Sequence, residues 1–271
     1  MSPQTILDLA DGAPFLLLQI LAMSARHLSI LRPFQRDIYR EQARTLQKSA
    51  LLVYTSTVRE VTPENCAALL VFSSVLAVQR LADAESAYES KTDVFLDRMR
   101  VFIDSMQGAR LVARCAWPSL CQTKLGPILQ TAQGYPKARK DSGKECEMLF
   151  SLIGNEDIDE RCSKAYQEAI DLLQWCFDVA GTSKRQMGNT GIIFAWPATV
   201  SEKFVHLLES RTPEALIILA FYGRLLHQYQ NVWFVGRTGE RLIEHITTYL
   251  GPSWSSWLAW PSRSLASDPM L

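Results

Sequence analysis

The stretch that decides the fold is Thr212-Pro213-Glu214-Ala215-Leu216-Ile217-Ile218-Leu219-Ala220-Phe221-Tyr222-Gly223-Arg224-Leu225-Leu226-His227. It opens as a helix opens, with a threonine ahead of a proline whose missing N–H would find no partner in the first turn anyway. A strongly apolar helix follows, to about Gln230. The same start occurs at Thr62-Pro63-Glu64, with Thr62 as N-cap. It opens a helix to about Ala82 that is apolar nearly all round, through Leu70, Val71, Phe72, Val75, Leu76 and Val78. A helix without a polar face is central and meets neighbours on several sides. The two starts are a shared capping device, not a sequence repeat.

Working outward, Pro14 opens a helix through Leu16, Ile20, Met23 and His27 to about Leu31, and Pro33 ends it. A second helix spans roughly Phe34 to Arg59. Others cover about Thr92 to Ala113, Cys146 to Ile153, Glu156 to Val179 and Thr238 to Leu250. Trp117-Pro118 breaks the chain, and Trp196-Pro197 precedes a helix to about Ser210. Gly181 to Gly191 reads as a connection, and Gly236-Arg237-Thr238-Gly239 as a turn between helices. Leu51 to Tyr54 and Gly191 to Ala195 are the two apolar strings that could be short strands, but no alternation supports a sheet. The expected fold is all-α, a multi-helix bundle with an internal hydrophobic pocket, and residues 1–271 form a single domain.

Composition narrows the function. The chain has 271 residues, 28 Lys+Arg against 28 Asp+Glu, and 48% hydrophobic residues. A neutral chain is a poor candidate for a protein that mainly binds nucleic acid, since phosphate neutralisation needs a positive excess. The six cysteines show no C-x-x-C pair and no histidine at metal-ligand spacing, so they are expected as reduced, mostly buried thiols, with no metal and no cofactor. No basic segment precedes the apolar run Ala13 to Met23, and the longest apolar stretches, such as Phe15 to Met23 and Ala215 to Tyr222, are too short to span a bilayer.

Recognisable catalytic patterns are missing. The sequence holds no G-x-S-x-G, P-loop or Rossmann glycine pattern. The acidic run Asn155-Glu156-Asp157-Ile158-Asp159-Glu160 lacks the DDxxD arrangement that would chelate magnesium on a diphosphate, and reads as negative charge at a helix N-terminus. His27, His206, His227 and His245 stand alone on helices. Two places offer polar groups beside apolar helices: Arg26-His27, and Arg224 with His227. Either could meet the polar end of a greasy ligand. Rings crowd the closing third. Phe221, Trp233 and Trp257 are candidate pocket walls, with Arg26 and His27; Tyr222, Arg224 and His227 are the candidate catalytic donors.

A resemblance covers most of the chain. It is carried by Trp196-Pro197, Phe204-Val205-His206, Pro213 to His227, Val232-Trp233-Phe234-Val235-Gly236 and Trp254…Trp257…Trp260-Pro261. Pro14 to Leu28 and Pro63 to Leu70 share it. These segments resemble the effector domain of fungal zinc-cluster transcription factors of the sterol uptake control type. The resemblance implies an all-α bundle with a hydrophobic sterol pocket. The family's DNA-binding module needs six closely spaced cysteines near the N-terminus, whereas the first cysteine here is Cys66. The chain begins at Met1 and is expected to be either a natural stand-alone copy or an excised domain.

Two functions follow as expectations. The favoured one is a stand-alone enzyme of fungal secondary metabolism. It would hold a terpenoid or polyketide and promote a metal-independent cyclisation or Diels–Alder-type cycloaddition by shape and hydrogen bonding. The alternative is a sterol- or lipid-sensing effector domain of a transcription regulator. A pure interaction scaffold is a third class. The expected partner is a hydrophobic small molecule, with no direct nucleic acid and no membrane span; a homodimer is left open. The expected location is intracellular, cytoplasmic for the enzyme and nuclear for the regulator.

Overall fold

The structure is a computed structural model that describes residues 3–85, 91–127, 129, 143–154, 158–183 and 190–263. Among the described residues the regular elements are all helices. The elements are α1 (Pro3–Asp11), α2 (Pro14–Leu31), α3 (Arg36–Thr57), α4 (Cys66–Glu85), α5 (Thr92–Cys115), α6 (Trp117–Cys121), α7 (Glu147–Ile153), α8 (Glu160–Ser183), α9 (Ile192–Thr199), α10 (Glu202–Glu209), α11 (Pro213–His227), α12 (Thr238–Leu250) and α13 (Ser255–Ser262). Short 3-10 turns precede α3 and α13. The chain divides into two compact units, Met1–Gln79 with Ser105–Lys137, and Arg80–Asp104 with Ala138–Leu271.

In the first unit α2 and α3 pack along one another. The core gathers Phe15, Leu16, Ala50, Phe72, Val112 and Leu120. Phe15 meets Phe72 edge-on at 5.2 Å, and Tyr54 stacks on Phe72 at 5.0 Å. The Thr62 start is a reciprocal cap. The Asn65 amide donates to the Thr62 hydroxyl at 3.4 Å, and the Thr62 amide donates to Asn65 Oδ1 at 2.8 Å. This bond pair satisfies amides that the first turn cannot.

In the second unit α11 is the hub. It packs against α8, α10, α12 and α13 and is buried from Ala215 to Gly223. The apolar circumference expected from the sequence is therefore spent on neighbours all round. Gly239 on α12 lies where that helix crosses α11. A Cβ there would overlap the Gly223 carbonyl oxygen and the His227 amide nitrogen. Two helices this close need a residue without a side chain at the crossing.

Several expectations are corrected. Trp196-Pro197 lies inside a helix of its own, α9, and the expected helix to about Ser210 is the separate α10, which Ser201 starts by accepting from the Phe204 amide at 3.2 Å. The apolar string ending at Ala195 is helical, as is Leu51 to Tyr54. The chain does break at Trp117-Pro118, where α5 has ended at Cys115, and the pair opens the short α6, because a proline is at home in a first turn. Gly181 belongs to α8, whereas residues 184–189 of the expected connection lie outside the described residues. Thr238 and Gly239 are already helical. The acidic run lies partly outside the described residues, since only Ile158, Asp159 and Glu160 of it are described. Two helices, Pro14–Leu31 and Cys66–Ala84, are long and apolar enough to cross a membrane by length and composition. They are longer than the expected stretches because the apolar character continues past polar residues such as Ser24 in the first and Ser73 and Ser74 in the second. Core helices of soluble proteins pass the same test, so length and composition do not make either one a span.

Candidate functional site

The expected site residues fall in different surroundings. Tyr222 is fully buried on α11, and its ring stacks on Trp196 at 4.7 Å. Its hydroxyl donates to the Ile193 carbonyl at 2.7 Å. That carbonyl is four residues before Pro197, which has no N–H to give it. Tyr222 thus closes the gap that a proline opens in α9. Burial pushes its phenol well above the usual tyrosine range, so the proton is held. Trp196 in turn donates its indole N–H to the Ala169 carbonyl at 2.9 Å and meets Phe204 edge-on at 5.5 Å.

Phe221 is fully buried and stacks on Trp260 at 4.8 Å. Trp233 is half-buried and meets Phe234 edge-on at 5.6 Å, and Phe234 stacks on Phe194 at 6.0 Å. Trp257 is half-buried on α13. Arg224 and His227 occupy the last turn of α11, where positive charge suits the helix dipole; Arg224 is half-buried and His227 buried. Beside them the Glu240 carboxylate is gripped by Nε and Nη2 of the Arg237 guanidinium, each at 2.7 Å, which lowers its pKa. Arg26 and His27 lie on α2 in the first unit. Arg26 is buried and donates to the Ser29 hydroxyl at 3.0 Å.

Sequence reading missed a cavity in the second unit. It measures about 270 Å³ and is partly open. Its apolar floor is Leu96, Ile103, Leu208, Leu216 and Leu219, and its rim is Asp97, Arg100, Glu209 and Arg211. The volume lies just under the ~300–1,000 Å³ common for ligand sites. Arg211 sits in the turn between α10 and α11 with φ of 53°, a left-handed conformation that costs about 1 kcal/mol or more without glycine. It is held there by ion pairs to Asp93 and, at 3.0 Å, to Asp97, with its guanidinium 5.5 Å over the Tyr249 ring. Arg100 pairs with Asp104 at 2.7 Å and reaches Glu209 at 4.0 Å. Burial pushes the Asp104 carboxyl up despite Arg100, and Glu209 adds to the push. The rim is thus balanced, Asp97 and Glu209 against Arg100 and Arg211, and Asp93 and Asp104 stand beside it as further partners of the two arginines. The spacing of Asp93, Asp97, Arg100 and Asp104 along one helix was the visible signal. Their partner Arg211 is more than a hundred residues away, and nothing local announced it.

Among the described residues no three His, Cys, Asp or Glu side chains gather as metal ligands. All six cysteines are free. Cys66, Cys146 and Cys176 are buried, Cys115 is exposed, and burial raises the Cys176 thiol to about 12. Half, not most, of the thiols are thus fully buried.

No family model matches the chain. It is similar to a Zn(2)-C6 fungal-type transcription factor of Gibberella zeae, 25% identical over 95% of this chain and 54% of that protein. It is also similar to Sterol uptake control protein 2 of Candida albicans, 24% identical over 90% of this chain and 36% of that protein. The chain spans about half and about a third of these relatives. The match overturns the expectation of a stand-alone cyclase of secondary metabolism, because both relatives are regulators by name and are matched across nearly all of this chain. Over nine-tenths of its length, the chain is similar to fungal transcription regulators.

Proposed function

We propose that this chain is the effector domain of a fungal transcription regulator, acting in the nucleus and answering to a sterol or related lipid. The observation that carries the proposal is the near-complete alignment with two such regulators, one of them named for sterol uptake control. Its composition is in keeping: a neutral, all-helical chain suits a ligand- or partner-responsive module better than a DNA-contacting one. The cavity with leucine floor and charged rim offers one place where an apolar group and a polar end could be held together. No residue of this chain is assigned to DNA.

The test joins the chain to a heterologous DNA-binding module in a yeast reporter strain. Reporter output should change several-fold when sterol synthesis is inhibited. The purified chain should also bind a fluorescent sterol saturably. Output that ignores sterol supply, together with no saturable binding, would overturn the proposal.

A further inference from the structure

The turn that joins α2 to α3 has the wrong composition for a solvated connection. Such turns favour Gly, Asn, Asp and Ser. Here the run Ile30-Leu31-Arg32-Pro33-Phe34-Gln35-Arg36-Asp37-Ile38 is exposed throughout, and it carries large apolar side chains. Ile30 is 37% exposed, Ile38 60%, Leu31 62% and Phe34 105%, so the Phe34 ring is as open to water as in an extended chain. Single exposed apolar residues are ordinary, but several gathered on one turn mark a surface that meets something else. The backbone beneath them is closed. Pro33 has no N–H. The Arg32 amide donates to the Leu28 carbonyl at 2.9 Å, the Gln35 amide to the Arg32 carbonyl at 3.0 Å, and the Arg36 amide to the Pro33 carbonyl. The turn can therefore leave water without stranding these amides.

Cations are interleaved with the apolar groups. Arg32 and Arg36 are exposed within the turn, and half-buried Arg40 and exposed Arg44 and Lys48 follow along α3 at four-residue steps, about 6 Å each. The carboxylates of the same stretch are Asp37 and Glu41, and Glu41 is paired with Arg44 at 3.5 Å. Cations therefore outnumber carboxylates here, in a chain that is neutral as a whole. Arg32 is fixed beside the turn: it donates to the Tyr39 hydroxyl at 3.1 Å, with its guanidinium 5.9 Å over that ring. We infer that this turn docks on an anionic lipid bilayer. Leu31, Phe34 and Ile38 enter the boundary between headgroups and acyl chains, and Arg32 and Arg36 bind lipid phosphates at its edge. Charge complementarity selects this occupant. Apolar side chains alone would suit many surfaces, and arginines alone many polyanions. The order Leu-Arg-Pro-Phe-Gln-Arg-Asp-Ile puts both kinds of group at one depth, where a bilayer offers acyl chains and phosphates together. The inference concerns the surface of the first unit and does not rest on the regulator reading.

Co-sedimentation of the chain with vesicles tests it. Binding to phosphatidylcholine–phosphatidylserine vesicles should be about tenfold tighter or more than to phosphatidylcholine alone, and should weaken as salt is raised. The vesicles hold no sterol, so the outcome is separate from the sterol test above. Phe34→Glu should weaken binding by about tenfold or more, and Arg32→Gln/Arg36→Gln should do the same. Far-ultraviolet circular dichroism and Tm should stay unchanged in both, since these side chains are exposed. Insertion is read with Phe34→Trp, whose added fluorescence should be quenched by brominated acyl chains beyond the wild-type background. A chain that ignores anionic vesicles would overturn the inference. So would binding that Phe34→Glu leaves intact, equal binding to neutral vesicles, or a Phe34→Trp ring that brominated chains do not quench. A single-stranded oligonucleotide bound through Phe34, with vesicles left free, would give the turn to nucleic acid and overturn it too.

Discussion

Helices α2 and α11 begin alike and end differently. Both open on proline, and both are dominated by leucine, isoleucine and alanine. In α11 nearly every side chain is buried, and even the two ring residues Phe221 and Tyr222 are stacked on partners. In α2 the leucines at 17, 21 and 31 face outward, and polar Gln19 and Arg26 are turned in. Apolar content alone therefore does not say where a helix belongs. What separates the two is the set of surrounding elements within each unit: α11 packs on helices on several sides, whereas α2 packs chiefly on α3 and α1 and keeps Leu17, Leu21 and Leu31 exposed among the described residues.

The contrast can be broken by mutation. Phe221→Ala should cost the most, about 3–5 kcal/mol, since it empties a site stacked on Trp260. Denaturant unfolding measures it, and a loss under about 1 kcal/mol would mean α11 is not the hub. Tyr222→Phe should cost about 1–3 kcal/mol, because it leaves the Ile193 carbonyl buried with neither Pro197 nor the phenol to serve it. A neutral result would show that α9 re-forms its own bonding. Gly239→Ala should cost a similar amount, about 1–3 kcal/mol, by forcing α11 and α12 apart at their crossing. Its readout is a lowered Tm together with weakened near-ultraviolet dichroism from the rings beside α11. Leu17→Ala on α2 should change unfolding of the monomer least, by within about 0.5 kcal/mol, because little of that side chain is buried. If Leu17→Ala matched Phe221→Ala in the monomer, the two helices would not differ as described.

Much of the fold was legible in the sequence, and particular residues show why. Thr62, Pro63 and Asn65 act within a few positions of one another, so their cap could be read from spacing. The boundaries of Pro14–Leu31 and Thr238–Leu250 follow from local punctuation for the same reason. The second Thr-Pro-Glu start was read as a helix start correctly, yet its hydroxyl does different work. Thr212 bonds Tyr166 at 2.9 Å and the Leu207 carbonyl at 3.3 Å and makes no cap of its own. Trp196-Pro197 was misplaced because a proline normally ends a helix. Its tolerance here depends on Tyr222, a residue from another element. The cavity was not legible at all, since Arg100, Glu209 and Arg211 meet only after α5, α10 and the turn before α11 are brought together.

By itself, the sequence determined the helical class, most helix starts, the central character of the Pro213–His227 segment and the regulator-like pattern. All of these rest on periodicity, capping and residue order, which act over a few residues. Tertiary structure alone decided which face of α2 looks outward and which hydroxyl serves Pro197. It also decided where Arg211 finds its carboxylates. Each of those outcomes depends on partners tens of residues or more away. A helix fixes the angles between its side chains, but only its neighbours decide which angles are covered.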